Sequence, residues 1–177
     1  PSQLTFETPA GGVGSQLGGE LVTLQMSDPQ DLRLGLEVPV GGEKFTADYV
    51  DSGVPHVSVR VARIDDIDVR TVGAALRHHP MFAPRGANAN FVEQRGAQAI
   101  AIRTYERGVE DETLACGTGV VATALIFAAT ENVNGPIEVL VKGGDLLQVG
   151  FTCQGDHFHD VTLTGPADFV FDGAIEL

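Results

Sequence analysis

Wound as a helix, the stretch from Gly117 to Thr130 is apolar around nearly its whole circumference. Val120, Val121, Ala122, Ala124, Leu125, Ile126, Phe127, Ala128 and Ala129 leave Thr123 as the lone polar interruption. A helix without a polar face has no side to offer water, so protein must enclose it. The segment is too short to span a bilayer, and no run of ~18 apolar residues occurs elsewhere in the 177-residue chain. The rest of the chain therefore has to supply the enclosure.

Glycine shows how. The chain has 22 glycines in 177 residues, above the usual ~7% and without a collagen-like period. They fall where strands reverse. Leu17-Gly18-Gly19-Glu20, Arg95-Gly96-Ala97-Gln98, Lys142-Gly143-Gly144-Asp145 and Cys153-Gln154-Gly155-Asp156 each separate two strand-like runs. Short loops carrying glycine mark hairpins, because the primed turns need positive φ. Val57, Val59 and Val61 alternate with Ser58, Arg60 and Ala62, the pattern of a half-buried strand. Asp68–His79 reads as an amphipathic helix, with Asp68 as N-cap, Val69, Val72, Gly73 and Leu76 on one face, and Pro80 as the stop. About ten strands and one all-apolar helix place the chain in the α/β (α+β) class. The expected architecture is a strongly curved, mostly antiparallel sheet wrapped around a central buried helix. Residues 1–40 read as a separate unit ending near the turn-rich Ser27-Asp28-Pro29-Gln30-Asp31. Residues 41–164 form the compact domain, and 165–177 end in further short strands.

Composition removes several functions. An apolar share of 43% supports a packed core. A net charge of −13 with unclustered Lys and Arg opposes phosphate, so nucleic acid is not an expected partner. Two cysteines cannot make a disulfide framework, and a reducing compartment is the simpler reading. The N-terminus has no secretory signal. It also lacks an initiator Met, which leads us to expect further residues upstream.

Leu114-Ala115-Cys116-Gly117-Thr118-Gly119 joins a polar stretch to the start of the apolar helix. A thiol there meets unpaired N–H groups and the positive end of the helix dipole, which favour anions. The same field is expected to lower the Cys116 pKa. Gly117 and Gly119 would leave the amides open to a carboxylate or phosphate. Upstream, Glu106 and Arg107 stand where a strand opens into a loop, a usual place for binding groups. Ser52-Gly53-Val54-Pro55-His56 is a tight turn ending in a histidine able to orient or deprotonate groups near pH 7. Asn88 and Asn90 supply two amides. Cys153, His157 and His159 make at most a weak metal set without a fourth ligand, so no metal is expected.

Thr104-Tyr105-Glu106-Arg107-Gly108-Val109-Glu110 followed by Glu112-Thr113-Leu114-Ala115-Cys116-Gly117-Thr118-Gly119 resembles a catalytic segment of the diaminopimelate epimerase family. Gly53-Val54-Pro55-His56 and Asn88-Ala89-Asn90-Phe91-Val92 resemble two further family motifs in the same order. Thr5–Gly12 and Thr164–Ala167 resemble its flanking segments. The resemblance spans essentially the whole chain. It implies one repeat of a pseudo-symmetric two-domain fold, in a cytoplasmic enzyme of lysine biosynthesis that uses neither pyridoxal phosphate nor metal. Such enzymes invert one α-carbon of diaminopimelate with two cysteines, one from each domain. Cys116 matches the second of these. His56 and Glu106 match groups that support the thiols. Asn88, Glu106, Arg107, Gly117, Thr118 and Gly119 match substrate-binding positions. The implied partners are the small-molecule substrate and a missing N-terminal half, with a homodimer left open.

Two departures stand out. Val54 occupies a position that is commonly Asn in the family, and nothing in the chain matches the Asn-Gly-Cys-Gly-Asn segment that carries the other cysteine. The chain is therefore expected to be a C-terminal portion with half of an active site, inactive alone. Three other readings stay open: a proline racemase-like isomerase, a hydrolase using Cys116 and His56, and a non-catalytic module. The Glu106-Arg107 pair weighs against the first, since a small substrate has no second charged end.

Overall fold

The computed structural model describes residues 2–8, 11–155 and 157–175. Pro9 and Ala10 of the opening motif, Asp156 of the last glycine turn, and residues 176–177 lie outside the described residues. In chain order the strands are β1 (Gln3–Thr8), β2 (Gly11–Gly18), β3 (Leu21–Gln25), β4 (Gln30–Val40), β5 (Glu43–Asp51) and β6 (Pro55–Arg60). Helix α1 (Val69–Arg77) follows, then β7 (Asn88–Gly96), β8 (Ala99–Glu106) and β9 (Asp111–Thr113). Helix α2 (Gly117–Glu131), β10 (Ile137–Leu140), β11 (Leu146–Gln154) and β12 (His157–Pro166) complete the chain. Short 3₁₀ turns at Ile64–Asp66 and Pro80–Phe82 flank α1.

The described strands form one sheet in the order β1-β2-β3-β12-β11-β10-β8-β7-β6-β5-β4, with β9 paired to β8. Neighbours are antiparallel except β6–β7 and β8–β10. The expected hairpins form at all four glycine turns. Gly19, Gly144 and Gly155 take the positive φ that such turns require. Twelve strands and two helices make a mixed α+β fold.

The apolar segment is α2, and Gly119 through Ala128 are buried without a break. The helix packs against β4 to β8 and β10 to β12. Strands from β12 round to β4, the last in that order, touch the same helix, so this part of the sheet curls around it. Its one polar interior residue is satisfied within the helix, the Thr123 hydroxyl donating to the Gly119 carbonyl at 2.8 Å. Asn132 ends it in the left-handed region.

Helix α1 covers the other face of β7 and β8. Asp68 caps it by accepting from the Thr71 N–H at 3.1 Å. Val69 and Leu76 pack with Val57, Phe91 and Tyr105, whereas Val92, Ile100 and Ile102 face the core around α2. Gly73 lets the helix come close, since a Cβ there would lie 2.5 Å from the Tyr105 Cβ.

Two expectations change. Strand β6 is not half-buried: Pro55 to Val59 are all buried. Its polar face, with His56 and Ser58, lies under α2 instead of in solvent. Strand β4 pairs with β5 from Gln30 to Val40, and its Leu32 packs on the α2 core. Finally, no strand occurs in residues 167–175, where short strands were expected. Among the described residues, no helix is long and apolar enough to cross a membrane.

Candidate active site

The turn at Ser52–Val54 and the start of α2 are joined by backbone and side chain. The Ser52 N–H donates to the Val54 carbonyl at 3.2 Å, and the Ser52 hydroxyl donates to the Thr118 carbonyl at 2.9 Å. This sets His56, at the start of β6, beneath the first turn of α2. Parallel pairing places His56 opposite Asn88 and Ser58 opposite Asn90. Residues two apart on a strand share a face, so His56, Asn88 and Asn90 converge.

Cys116 is the N-cap of α2, with extended backbone and no side-chain cap bond. Its sulfur lies 3.6 Å from the Thr118 hydroxyl. That hydroxyl lies 3.0 Å from His56 Nε2. On the other side of the ring, Asn90 Nδ2 is 3.2 Å from His56 Nδ1 and donates to the Val57 carbonyl at 3.1 Å. The Thr104 hydroxyl donates to Asn90 Oδ1 at 2.9 Å. A continuous polar chain thus runs Cys116–Thr118–His56–Asn90–Thr104 inside an otherwise apolar interior.

Two expectations about titration are corrected. His56 is fully enclosed, and its pKa is pushed down to about 3. Burial is the main cause; the Asp51 charge opposes it and Arg107 adds to it. The ring is neutral near pH 7 and so orients other groups, rather than serving there as a base that becomes charged. The Cys116 thiol is pushed up, not down. Burial outweighs the Thr118 hydroxyl and the Gly119 and Thr118 N–H groups, which pull the other way, and the Glu106 charge also pushes it up. The helix terminus acts as expected, but desolvation wins.

The remaining expected residues take different positions. Asn88 is buried, and its amide is committed within the protein: Oδ1 accepts from the Arg107 N–H at 2.7 Å, while Nδ2 faces the Pro55 carbonyl at 3.4 Å. Glu106 and Arg107 end β8 half-buried. The Glu106 charge acts on the Cys116 thiol and the Arg107 charge on His56. Gly117 is exposed at the helix start, but Gly119 is buried. A Cβ on Gly119 would lie 2.8 Å from Asn90 Oδ1 and 3.3 Å from His56 Cε1, so the space it leaves serves the polar chain.

Below this cluster, Arg103 holds Glu112 through two bonds of 2.6 and 2.9 Å. It also donates to the Ile64 carbonyl at 2.9 Å. The pairing fixes β9, which leads into Leu114 and Cys116. The weak metal set is not assembled. Cys153 pairs across the hairpin with Phe158 and so faces away from His157 and His159. Among the described residues, no group of three or more His, Cys, Asp or Glu could hold a metal ion. A cavity of about 830 Å³ lies between β4 and the β11–β12 hairpin, lined by Leu32, Leu34, Val133 and Phe158 and by none of the site residues. It is the gap where the curled sheet nearly meets itself.

Thr104 had no assigned role from sequence, and Asn90 was read only as one of two amides suited to recognising amino and carboxylate groups. The available signal was the period-two placement of Asn88 and Asn90 on a strand whose alternate residues, Ala87, Ala89 and Phe91, are apolar.

A large sheet curled about one buried helix is an architecture shared with solved structures. The architecture matches a hydroxyproline epimerase from Agrobacterium vitis with bound trans-4-OH-L-proline (TM-score 0.70, 20% identity, covering 93% of this chain and 56% of that one). It also matches a PhzF-family phenazine biosynthesis protein from Bacillus anthracis (TM-score 0.66, 16% identity, covering 93% and 65%). At these identities the likeness is one of fold. The sequence is more specific. The diaminopimelate epimerase family profile matches residues 48–170. Diaminopimelate epimerase of Chlorobaculum tepidum is 43% identical over 161 residues, covering 90% of this chain and 60% of the relative. That of Aquifex aeolicus is 36% identical over 177 residues, covering 98% and 62%. The chain belongs to the diaminopimelate epimerase family. It spans about 60% of the length of these curated relatives.

Proposed function

We propose that this chain supplies one face of an amino-acid epimerase site acting on diaminopimelate, with Cys116 as the proton carrier on that face. The observation that carries the reading is the placement of Cys116: N-cap of a buried helix, 3.6 Å from a hydroxyl that is itself 3.0 Å from a buried, neutral histidine. Inversion at a tetrahedral carbon needs proton carriers on opposite faces, because one group reaches only one side. A thiol held protonated by burial suits the donor half. As a base on the far face breaks the α-C–H bond, its electron pair stays on carbon. The Cys116 S–H bond then breaks and its proton forms the new C–H bond. In the reverse direction the resulting thiolate takes that proton back. The start of α2 stabilises the substrate carboxylate as charge develops beside it. Glu106, at the thiol end, receives the α-ammonium, and Arg107 offers a fork for a carboxylate.

The second carrier is not identifiable in these 177 residues. We place the start of the unit containing Cys116 between β3 and β4, so that β1–β3 and residues 167–175 belong with a preceding unit. Support comes from apolar side chains that both regions expose. Phe6 and Leu21 are about half exposed, and Phe169, Val170 and Phe171 are 99%, 88% and 84% exposed.

The test is NMR of L,L-diaminopimelate in D₂O with the 177-residue chain. The expected result is no inversion. Turnover by this chain would overturn the reading that a cysteine from outside these residues is required.

A further inference from the structure

We propose that Asn90 is a positioning residue: it fixes the tautomer of His56 and thereby turns the Thr118 hydroxyl toward the Cys116 sulfur. Its amide can sit only one way round. Nδ2 faces the Val57 carbonyl at 3.1 Å, which accepts and cannot donate. Oδ1 receives the Thr104 hydroxyl at 2.9 Å. The second Nδ2 hydrogen therefore points at His56 Nδ1, 3.2 Å away, and Nδ1 must be the bare nitrogen. The ring proton is then on Nε2 and is donated to the Thr118 oxygen at 3.0 Å. With that oxygen accepting from the ring, its own hydrogen is free to turn to the sulfur at 3.6 Å. A donor aimed at sulfur favours the thiolate.

The opposite tautomer would reverse the line. A bare Nε2 would take the Thr118 hydrogen, and the same oxygen could then accept only from S–H, favouring the thiol. Asn90 thus selects which form of Cys116 the hydroxyl supports. Asn88 does not compete, since its Oδ1 is held by the Arg107 N–H and its Nδ2 lies a longer 3.4 Å from the ring. Gly119 keeps the amide in place by leaving room for Oδ1. The charged groups bordering the line are Asp51, Glu106 and Arg107, and none forms a link in it. The catalytic consequence rests on the proposed proton-carrying role of Cys116; the tautomer does not.

The tautomer can be read directly from the ¹⁵N shifts of His56 in histidine-labelled chain. The expected result is a protonated Nε2 and a bare Nδ1; a proton on Nδ1 would overturn the proposal. The second arm follows Cys116 alkylation at pH 8 with Cys153→Ser as background. Asn90→Asp can only accept at Nδ1, so it should move the ring proton to Nδ1 and slow alkylation about two- to tenfold, the span of one ordinary hydrogen bond. In a Thr118→Val background the same change should slow alkylation little further. Equal slowing in both backgrounds would assign the effect to the new charge and overturn the relay. If Asn90→Asp does not fold, the tautomer of the native chain decides alone. Should an epimerase bearing this chain ignore Cys116 while His56 shows the expected tautomer, the catalytic reading fails and the positioning stands.

Discussion

At the scale of single residues, the site is governed by desolvation. His56 and Cys116 are both buried beside neutral partners, and each is pushed toward its uncharged form. This has a consequence for stability. An imidazole titrates near 6.5 when free but at about 3 here, so the folded chain binds fewer protons than the unfolded one as pH falls. The stabilisation is complete above pH 6.5 and is lost progressively toward pH 3, at about 1.4 kcal/mol per pH unit. Urea unfolding should therefore show about 2 kcal/mol less stability at pH 5 than at pH 6.5. His56→Gln should flatten that slope, and an unchanged slope would mean that another group titrates. Cys116, His56 and Glu106 could be singled out as candidates because they sit in ordered motifs. Their titration was not, because motif spacing says nothing about how deeply a thiol at a helix start is enclosed. The tie between Asn90 and His56 was also hidden, since it depends on the parallel register of β6 and β7, and nothing local in sequence sets that register.

At the scale of elements, local chemistry was a good guide. Asp68 as a cap, the glycine turns and the uniform apolarity of α2 each act over a few residues, and all three appear as expected. Strand β6 misled because alternation reports polarity and not exposure: His56 and Ser58 are polar and buried. Gly73 shows the same gap between local preference and packing. In an isolated helix, alanine would be favoured over glycine by ~1 kcal/mol. Here the added methyl would stand 2.5 Å from Tyr105 Cβ on β8. Overpacking of that kind costs about 1–3 kcal/mol and should prevail. Gly73→Ala is expected to lower the denaturation midpoint; a rise would show that α1 can shift away from the sheet without penalty.

At the scale of the whole molecule, the sheet order is what makes a site. Strands far apart in sequence close around α2, and the start of that helix is where β6, β7 and β8 deliver His56, the two amides and Glu106. The enclosure of α2 was legible from its composition, but the order of twelve strands was not, because the parallel β6–β7 and β8–β10 pairs cross over helices and loops. The function proposed for this chain depends on Cys116 as a proton carrier in a two-sided site. The most direct measurement uses a chimera in which this chain replaces the corresponding portion of the Chlorobaculum tepidum relative. L,L-diaminopimelate would be followed in D₂O by NMR. The folded chimera should invert it with a deuteron incorporated at the α-carbon, and Cys116→Ala should lower that rate at least ~100-fold, as expected when a general acid–base group is lost. A folded chimera that inverts the substrate equally well without Cys116 would contradict the account.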